Sequence, residues 1–167
     1  EAEGYYNTKI DKDDLRPVSY GLNSRLVAGP NGLKEEVWKV GGLYSAAIEK
    51  IVYWLRKASS VAENDQQKKA LDLLIDYYVT GNLRKFDEYN IAWVQDTASR
   101  VDVVNGFIEV YGDAIGYRGA YESVVSIKDI EASKRITVIS DQAQWFEDNS
   151  PIMENHKKKD VVGISAK

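Results

Sequence analysis

A chain of 167 residues, 44% hydrophobic and 29% charged, has room for one domain with a real core and the mixture of a globular protein. Its formal net charge of −4 gives a polyanion no general hold, so nucleic acid is not an expected partner. The lack of cysteine excludes disulfides, zinc ribbons, iron–sulfur clusters and thiol nucleophiles, and the single histidine, His156, excludes any site needing two imidazoles from this chain.

The first forty residues are turn-rich. Pro17, Gly21, Gly29-Pro30 and Asn31-Gly32 are turn signals, and residues 18–27 and 35–40 between them have strand length. Trp38 and Val40 alternate with Val37 and Lys39, the period of a half-buried strand. A helical block follows. Tyr44, Ala47, Ile48, Ile51, Leu55 and Ala58 recur at spacings of three and four as one apolar stripe. Asn64 or Asp65 can cap a second helix, with Ala70, Leu71, Leu74, Tyr77 and Tyr78 on its inner face and Gly81 at its end. Asn82 can cap a third, carrying Leu83, Phe86, Asn90 and Trp93. Short connections predict that the three helices pack as neighbours.

After Asp96 the texture changes. The β-branched density of residues 101–111 predicts a strand, Gly112-Asp113 and Gly116 mark a turn, and residues 118–125 make a second strand. Asp129 then caps a long last helix over residues 129–148, with Ala132, Ile136, Ile139, Ala143 and Phe146 as its buried stripe. Asn149-Ser150-Pro151 ends it. Residues 154–167, with the basic run Lys157-Lys158-Lys159, read as a loose, solvated tail. The expected class is α+β: an irregular strand-containing start, three packed amphipathic helices, a β pair and a long C-terminal helix. Residues 1–167 read as a single domain or a fragment of one. No run approaches the roughly 18 consecutive apolar residues of a membrane span, and no phosphate-cradling or dinucleotide glycine motif is present.

Side chains alternate along a strand, so residues 103–111 have two faces. Val104, Gly106, Ile108 and Val110 make an apolar side suited to a core. Asn105, Phe107, Glu109 and Tyr111 make a mixed side suited to a cleft wall, where a carboxylate can receive an ammonium group and a phenol can donate to a carbonyl. An ordinary solvent-facing strand surface would carry the same pattern. Glu109 with Asp113 is a nominal carboxylate pair for glycoside hydrolysis, although 26 acidic residues make some such pair inevitable. Glu154-Asn155-His156 offers one imidazole, too few for a metal site.

Three linked segments carry a resemblance. Trp93-Val94-Gln95-Asp96 is followed by Asn105-Gly106-Phe107-Ile108-Glu109-Val110-Tyr111-Gly112-Asp113, then by Gly116-Tyr117-Arg118-Gly119-Ala120-Tyr121-Glu122-Ser123-Val124-Val125. In order and spacing over residues 83–128 they resemble the dipeptidyl peptidase III family, nearest to bacterial members. The resemblance implies a two-lobed zinc exopeptidase that releases dipeptides from the N-termini of short peptides. It places this chain in the substrate-binding lobe, whose strand edge takes the peptide as an added strand. Glu109 matches the family's receiver of the substrate ammonium, and Tyr111 the tyrosine that polarises the scissile carbonyl. Gly106 and Ile108 would supply backbone groups if their strand is an edge. For Trp93, Gln95, Asp96, Arg118 and Glu122 structural support is the better reading.

The family's His-Glu-x-x-Gly-His segment is absent from this sequence. Zinc is therefore expected in a longer protein and not in this chain, which is read as a piece of something larger, inactive alone and positioning substrate. Its expected partners are a short peptide and the zinc-bearing lobe, and the cytoplasm is the expected compartment, an exported form being left open. The competing reading is a non-catalytic protein-binding or scaffold module of the same architecture.

Overall fold

The computed structural model describes residues 1–161. It is α+β, and the chain divides into two compact units. One comprises Glu1–Ser99 with Val104–Val124, the other Arg100–Val103 with the chain from Val125 onward.

The first unit begins with a short helix, α1 (Ala2–Asn7), which has no counterpart in the sequence expectations. A hairpin follows, β1 (Ser24–Gly29) and β2 (Gly32–Val37), paired antiparallel with Gly29 opposite Gly32. Pro30 and Asn31 are its two-residue turn, and Gly32 adopts φ 108°. That turn fixes the register and moves both strands toward it, away from the expected 18–27 and 35–40. Trp38 and Val40 leave the ladder. Trp38 donates its N–H to the Asn23 carbonyl at 2.8 Å and Val40 donates to Tyr78 at 3.0 Å.

Three helices then build the core: α2 (Ser45–Ser60), α3 (Asp65–Thr80) and α4 (Leu83–Gln95). Local chemistry sets their ends. The Asn64 side chain accepts the Gln67 N–H, the Asn82 side chain accepts the Arg84 N–H, and Gly81 closes α3 in the left-handed region at φ 72°. A Cβ at Gly81 would also meet Val37 Cγ1 at 2.6 Å. The α3 stripe is buried as expected, with Leu74, Tyr77 and Tyr78 wholly inaccessible. On α2 the buried line is Ile48, Val52, Leu55 and Ser59, so the expected stripe is rotated and Tyr44 faces solvent. Phe86, Tyr89 and Ala92 complete the core from α4.

A second strand pair, β3 (Val101–Phe107) and β4 (Tyr121–Ile127), forms its own two-stranded sheet.

In the second unit the expected long helix is two helices, α5 (Ile130–Ser140) and α6 (Ala143–Asp148). Asp129 caps α5 through the Ala132 N–H, as expected. The break at Asp141 and Gln142 follows Ile136, Thr137, Val138 and Ile139, four β-branched residues whose restricted χ1 weakens helix propagation. The expected buried stripe is also corrected: neither helix buries a residue, and Ile136, Ile139 and Phe146 are about half exposed. Of the expected tail, Lys157 donates to the Asp148 carbonyl and Val161 donates to the Gln144 side chain, while residues 162–167 lie outside the described residues. Among the described residues no helix is long and apolar enough to cross a membrane.

Candidate functional site

The segment that follows β3 departs from simple alternation. Ile108 donates its N–H to the Ala120 carbonyl at 2.9 Å, yet the Ala120 N–H goes to the Glu109 carbonyl at 2.8 Å. Ala120 thus opposes two residues, the signature of a β-bulge, and one extra residue reverses which face a side chain takes.

The expected two faces are corrected accordingly. Asn105 and Phe107, expected on the cleft side, are buried at 7% and 6% exposure. Ile108 and Val110 pack half-buried against the same core, and Glu109 and Tyr111 turn outward, Tyr111 at 85% exposure. Glu109 and Tyr111 lie beyond the strand proper, on the segment that runs on from the bulge.

The residues beneath hold this segment in place. The Tyr78 hydroxyl donates to Asn105 Oδ1, and Asn105 Nδ2 donates to the Tyr121 hydroxyl at 2.9 Å and to Ser123 Oγ at 3.1 Å. Burial pushes the Tyr78 hydroxyl far above its ordinary pKa, so it stays a donor. The Phe107 ring lies 4.5 Å from that of Trp38 and 5.7 Å from that of Tyr121. Gly106 is a close-approach position, since a Cβ there would stand 2.8 Å from the Phe86 ring. The Ile108 N–H is committed within the hairpin.

Beyond Tyr111 the chain turns back through Asp113. Its Oδ2 accepts the N–H groups of Tyr117 and Arg118, each at 3.0 Å, and its Oδ1 lies 3.4 Å from the Arg118 guanidinium. The Arg118 N–H, aided by the Tyr117 N–H and the Arg118 charge, holds the Asp113 carboxyl below its usual range against the opposing effect of burial. Held low and engaged by three donors, Asp113 does not suit the role of the acid in a glycosidase pair, which needs a raised pKa.

Other motif residues hold structure together. Asp96 is 4% exposed and accepts the Ser99 N–H at 3.2 Å, while Asn64 Nδ2 reaches Ser99 Oγ at 2.9 Å. Trp93 packs half-buried against the core, and Gln95 Oε1 accepts from Gln66 at 3.4 Å. Arg118 faces Asp113, and Glu122 is half-buried on β4. Asn105 and Ala120 were missed as site supports. An Asn amid valines was the only sequence signal, and nothing in the sequence marks the bulge.

A zinc ion would need three or more converging nitrogen or oxygen ligands. Among the described residues no group of three His, Asp or Glu side chains converges in that way, and His156 stands in a short 3-10 turn at Glu154–His156. The residues present do not fit zinc.

Known proteins resemble this chain in sequence and in fold. The dipeptidyl peptidase 3 of Dictyostelium discoideum is 29% identical over 120 residues, which cover 72% of this chain and 17% of that protein. The dipeptidyl peptidase 3 of Rattus norvegicus is 31% identical over 104 residues, 60% of this chain and 14% of that one. A protein of Arabidopsis thaliana named Nudix hydrolase 3 is 28% identical over 71% of this chain and 15% of its own length. The solved DPP III of Caldithrix abyssi superposes with a TM-score of 0.70 at 21% identity, over 95% of this chain and 29% of that one. The dipeptidyl-peptidase III of Corallococcus sp. strain EGB gives 0.61 at 19% identity. The chain therefore spans less than a fifth of these curated relatives and under a third of these structures. The sequence model of peptidase family M49 matches residues 5–161, and the chain belongs to that family.

Proposed function

We propose that this chain is part of the substrate-binding lobe of a zinc-dependent dipeptidyl peptidase, where it seats the amino end of a short peptide. Glu109 receives the substrate ammonium through charge-assisted hydrogen bonds. Tyr111 donates its hydroxyl to a peptide carbonyl further along, at the position where negative charge develops during hydrolysis. Measuring the peptide from its amino end makes the product a dipeptide. Gly106 and Ile108 back this wall. Zinc would be held outside this chain, where it would supply the water activation and carbonyl polarisation of metal-assisted hydrolysis. This chain contributes orientation, and alone it binds without cleaving.

The observation that carries the reading is the outward projection of Glu109 and Tyr111 from one bulged segment, in a chain that the M49 model matches. Among the described residues neither side chain is bound to another group of the protein, so a carboxylate and a phenol stand ready for a ligand.

The test is a titration of the 167-residue chain with an unblocked pentapeptide and with its N-acetylated form, followed by NMR at the Glu109 and Tyr111 amides. The unblocked peptide should bind on the order of ten-fold more tightly, a difference of about 1.4 kcal/mol. Glu109→Gln should remove the difference. Equal binding of both peptides would sink the ammonium role, and a scaffold module would behave in that way.

A further inference from the structure

Building on the anchoring roles of Glu109 and Tyr111, we propose that Asp113 is a positioning residue of this site, fixing the poses of both by closing the loop over residues 110–118. Tyr111 is 85% exposed and Glu109 is exposed, so no packing holds either side chain in place. Their poses derive from the backbone.

That backbone forms a closed circuit. At one end the bulge ties the Glu109 carbonyl to the Ala120 N–H at 2.8 Å. At the other, the Asp113 N–H donates to the Val110 carbonyl at 3.0 Å, which makes residues 110–113 a β-turn with Tyr111 at its first central position. A second turn follows directly, with the Gly116 N–H donating to the Asp113 carbonyl at 3.0 Å and Gly116 at φ 69°. Asp113 is the residue common to both turns.

Its carboxylate then gathers the returning segment through the Tyr117 and Arg118 N–H groups, and the side chain is only 11% exposed in doing so. The returning segment is tied to the rest of the unit. The Tyr117 ring stacks on buried Tyr6 at 4.9 Å, and Gly119 donates its N–H to the Leu22 carbonyl at 2.8 Å. Asp113 links these fixed points to Tyr111. Neutral Asn at this position keeps one acceptor oxygen but turns an NH2 group toward the Arg118 guanidinium, two donors facing each other. Ala keeps neither acceptor.

The experiment compares wild type, Asp113→Asn, Asp113→Ala and Glu109→Gln in the 167-residue chain, using the unblocked and N-acetylated pentapeptides as probes. The expected result is a loss of affinity for the unblocked peptide on the order of ten-fold in Asp113→Ala, and less in Asp113→Asn. The preference for the unblocked over the blocked peptide should shrink with it. A merely structural residue would lower stability and leave that preference unchanged. Backbone 15N relaxation should show Tyr111 and Gly112 loosened while the Leu74 and Tyr77 amides are unaffected, and Asp113→Asn serves if Asp113→Ala does not fold.

Retention of the wild-type preference in both Asp113 variants, with Glu109→Gln abolishing it, overturns the positioning role and leaves the anchoring roles standing. Absence of any preference in wild type overturns the anchoring roles, and the positioning role falls with them.

Discussion

Ala120 and Glu109 share a backbone hydrogen bond of 2.8 Å that a regular ladder would give to Ile108. This single displaced bond decides which residues face the core and which face outward. Before it Phe107 is in the core; after it Glu109 is out. A close approach sustains the bulge, because a Cβ on Gly119 would stand 2.9 Å from the Phe107 carbonyl carbon and 3.0 Å from the Leu22 side chain.

Gly119→Ala should therefore destabilise the chain by about 1–3 kcal/mol, the usual cost of overpacking. Gly112→Ala, with nothing within 4 Å of the added methyl, should stay within about 0.5 kcal/mol. Urea denaturation of the two variants checks the contrast, and equal midpoints would refute the account of Gly119.

Tyr78→Phe removes the hydroxyl that donates to Asn105 Oδ1 in a buried setting. The acceptor is then stranded without water, at a cost of about 1–3 kcal/mol. The amides of Tyr121 and Ser123 should shift as well, since both side chains accept from the same Asn105 amide. A variant with unchanged Tm and an unchanged spectrum would show that the network contributes nothing.

The parts of the fold legible in the sequence are those fixed locally. Asn64, Asn82 and Asp129 cap the helices they precede, and Gly81 ends α3, because each choice is made by one side chain and its nearest backbone. The α3 stripe was legible because that helix is buried along a broad face. The bulge was not, since Ile108 and Glu109 determine it together with Ala120, which is distant in sequence, and no residue type encodes it. The apolar spacing of residues 129–148 gave a continuous buried helix, whereas the structure has a break and an exposed stripe: periodicity reports which side chains share a face, not what covers it. Of the site, Glu109 and Tyr111 came from the motif match, while their outward direction was derived from an unbroken strand that the bulge interrupts. The structural role of Asp113 was not legible, because nothing in sequence distinguishes a carboxylate already supplied with three donors from a free one.

Asn64 tests whether the Trp93–Asp96 motif serves structure. Its Oδ1 caps α3 through the Gln67 N–H at 2.9 Å, while its Nδ2 reaches Ser99 Oγ and lies 3.4 Å from Asp96 Oδ1. Asn64→Ala loses both functions and should cost about 1–2 kcal/mol from the cap alone. Asn64→Asp keeps the cap oxygen but sets a second carboxylate against buried Asp96. It should therefore be at least as damaging at neutral pH, as thermal melts of both variants would reveal. An Asn64→Asp protein as stable as wild type would mean that only the cap matters.

The closing of the 110–118 loop should depend on pH in a stated direction. The Arg118 N–H is the largest influence on the Asp113 carboxyl, joined by the Tyr117 N–H and the Arg118 charge, and together they hold its pKa below the ordinary value although burial acts the other way. A carboxyl lowered on folding contributes its full stabilisation above the unfolded value, roughly 4, and loses it as pH falls through the lower folded value. The loop amides of Tyr117 and Arg118 should stay protected down to about that unfolded value and become exchangeable only below it. Asp14 and Asp72 are lowered too, the first chiefly by the Arg16 N–H and Arg84, the second by Lys68 and Ser59 against burial, so a global melt would mix three transitions. Amide exchange read residue by residue separates them. In Asp113→Asn, which has no proton to gain, Tyr117 and Arg118 should show no such step, and a step that persisted there would assign the pH dependence to another carboxylate.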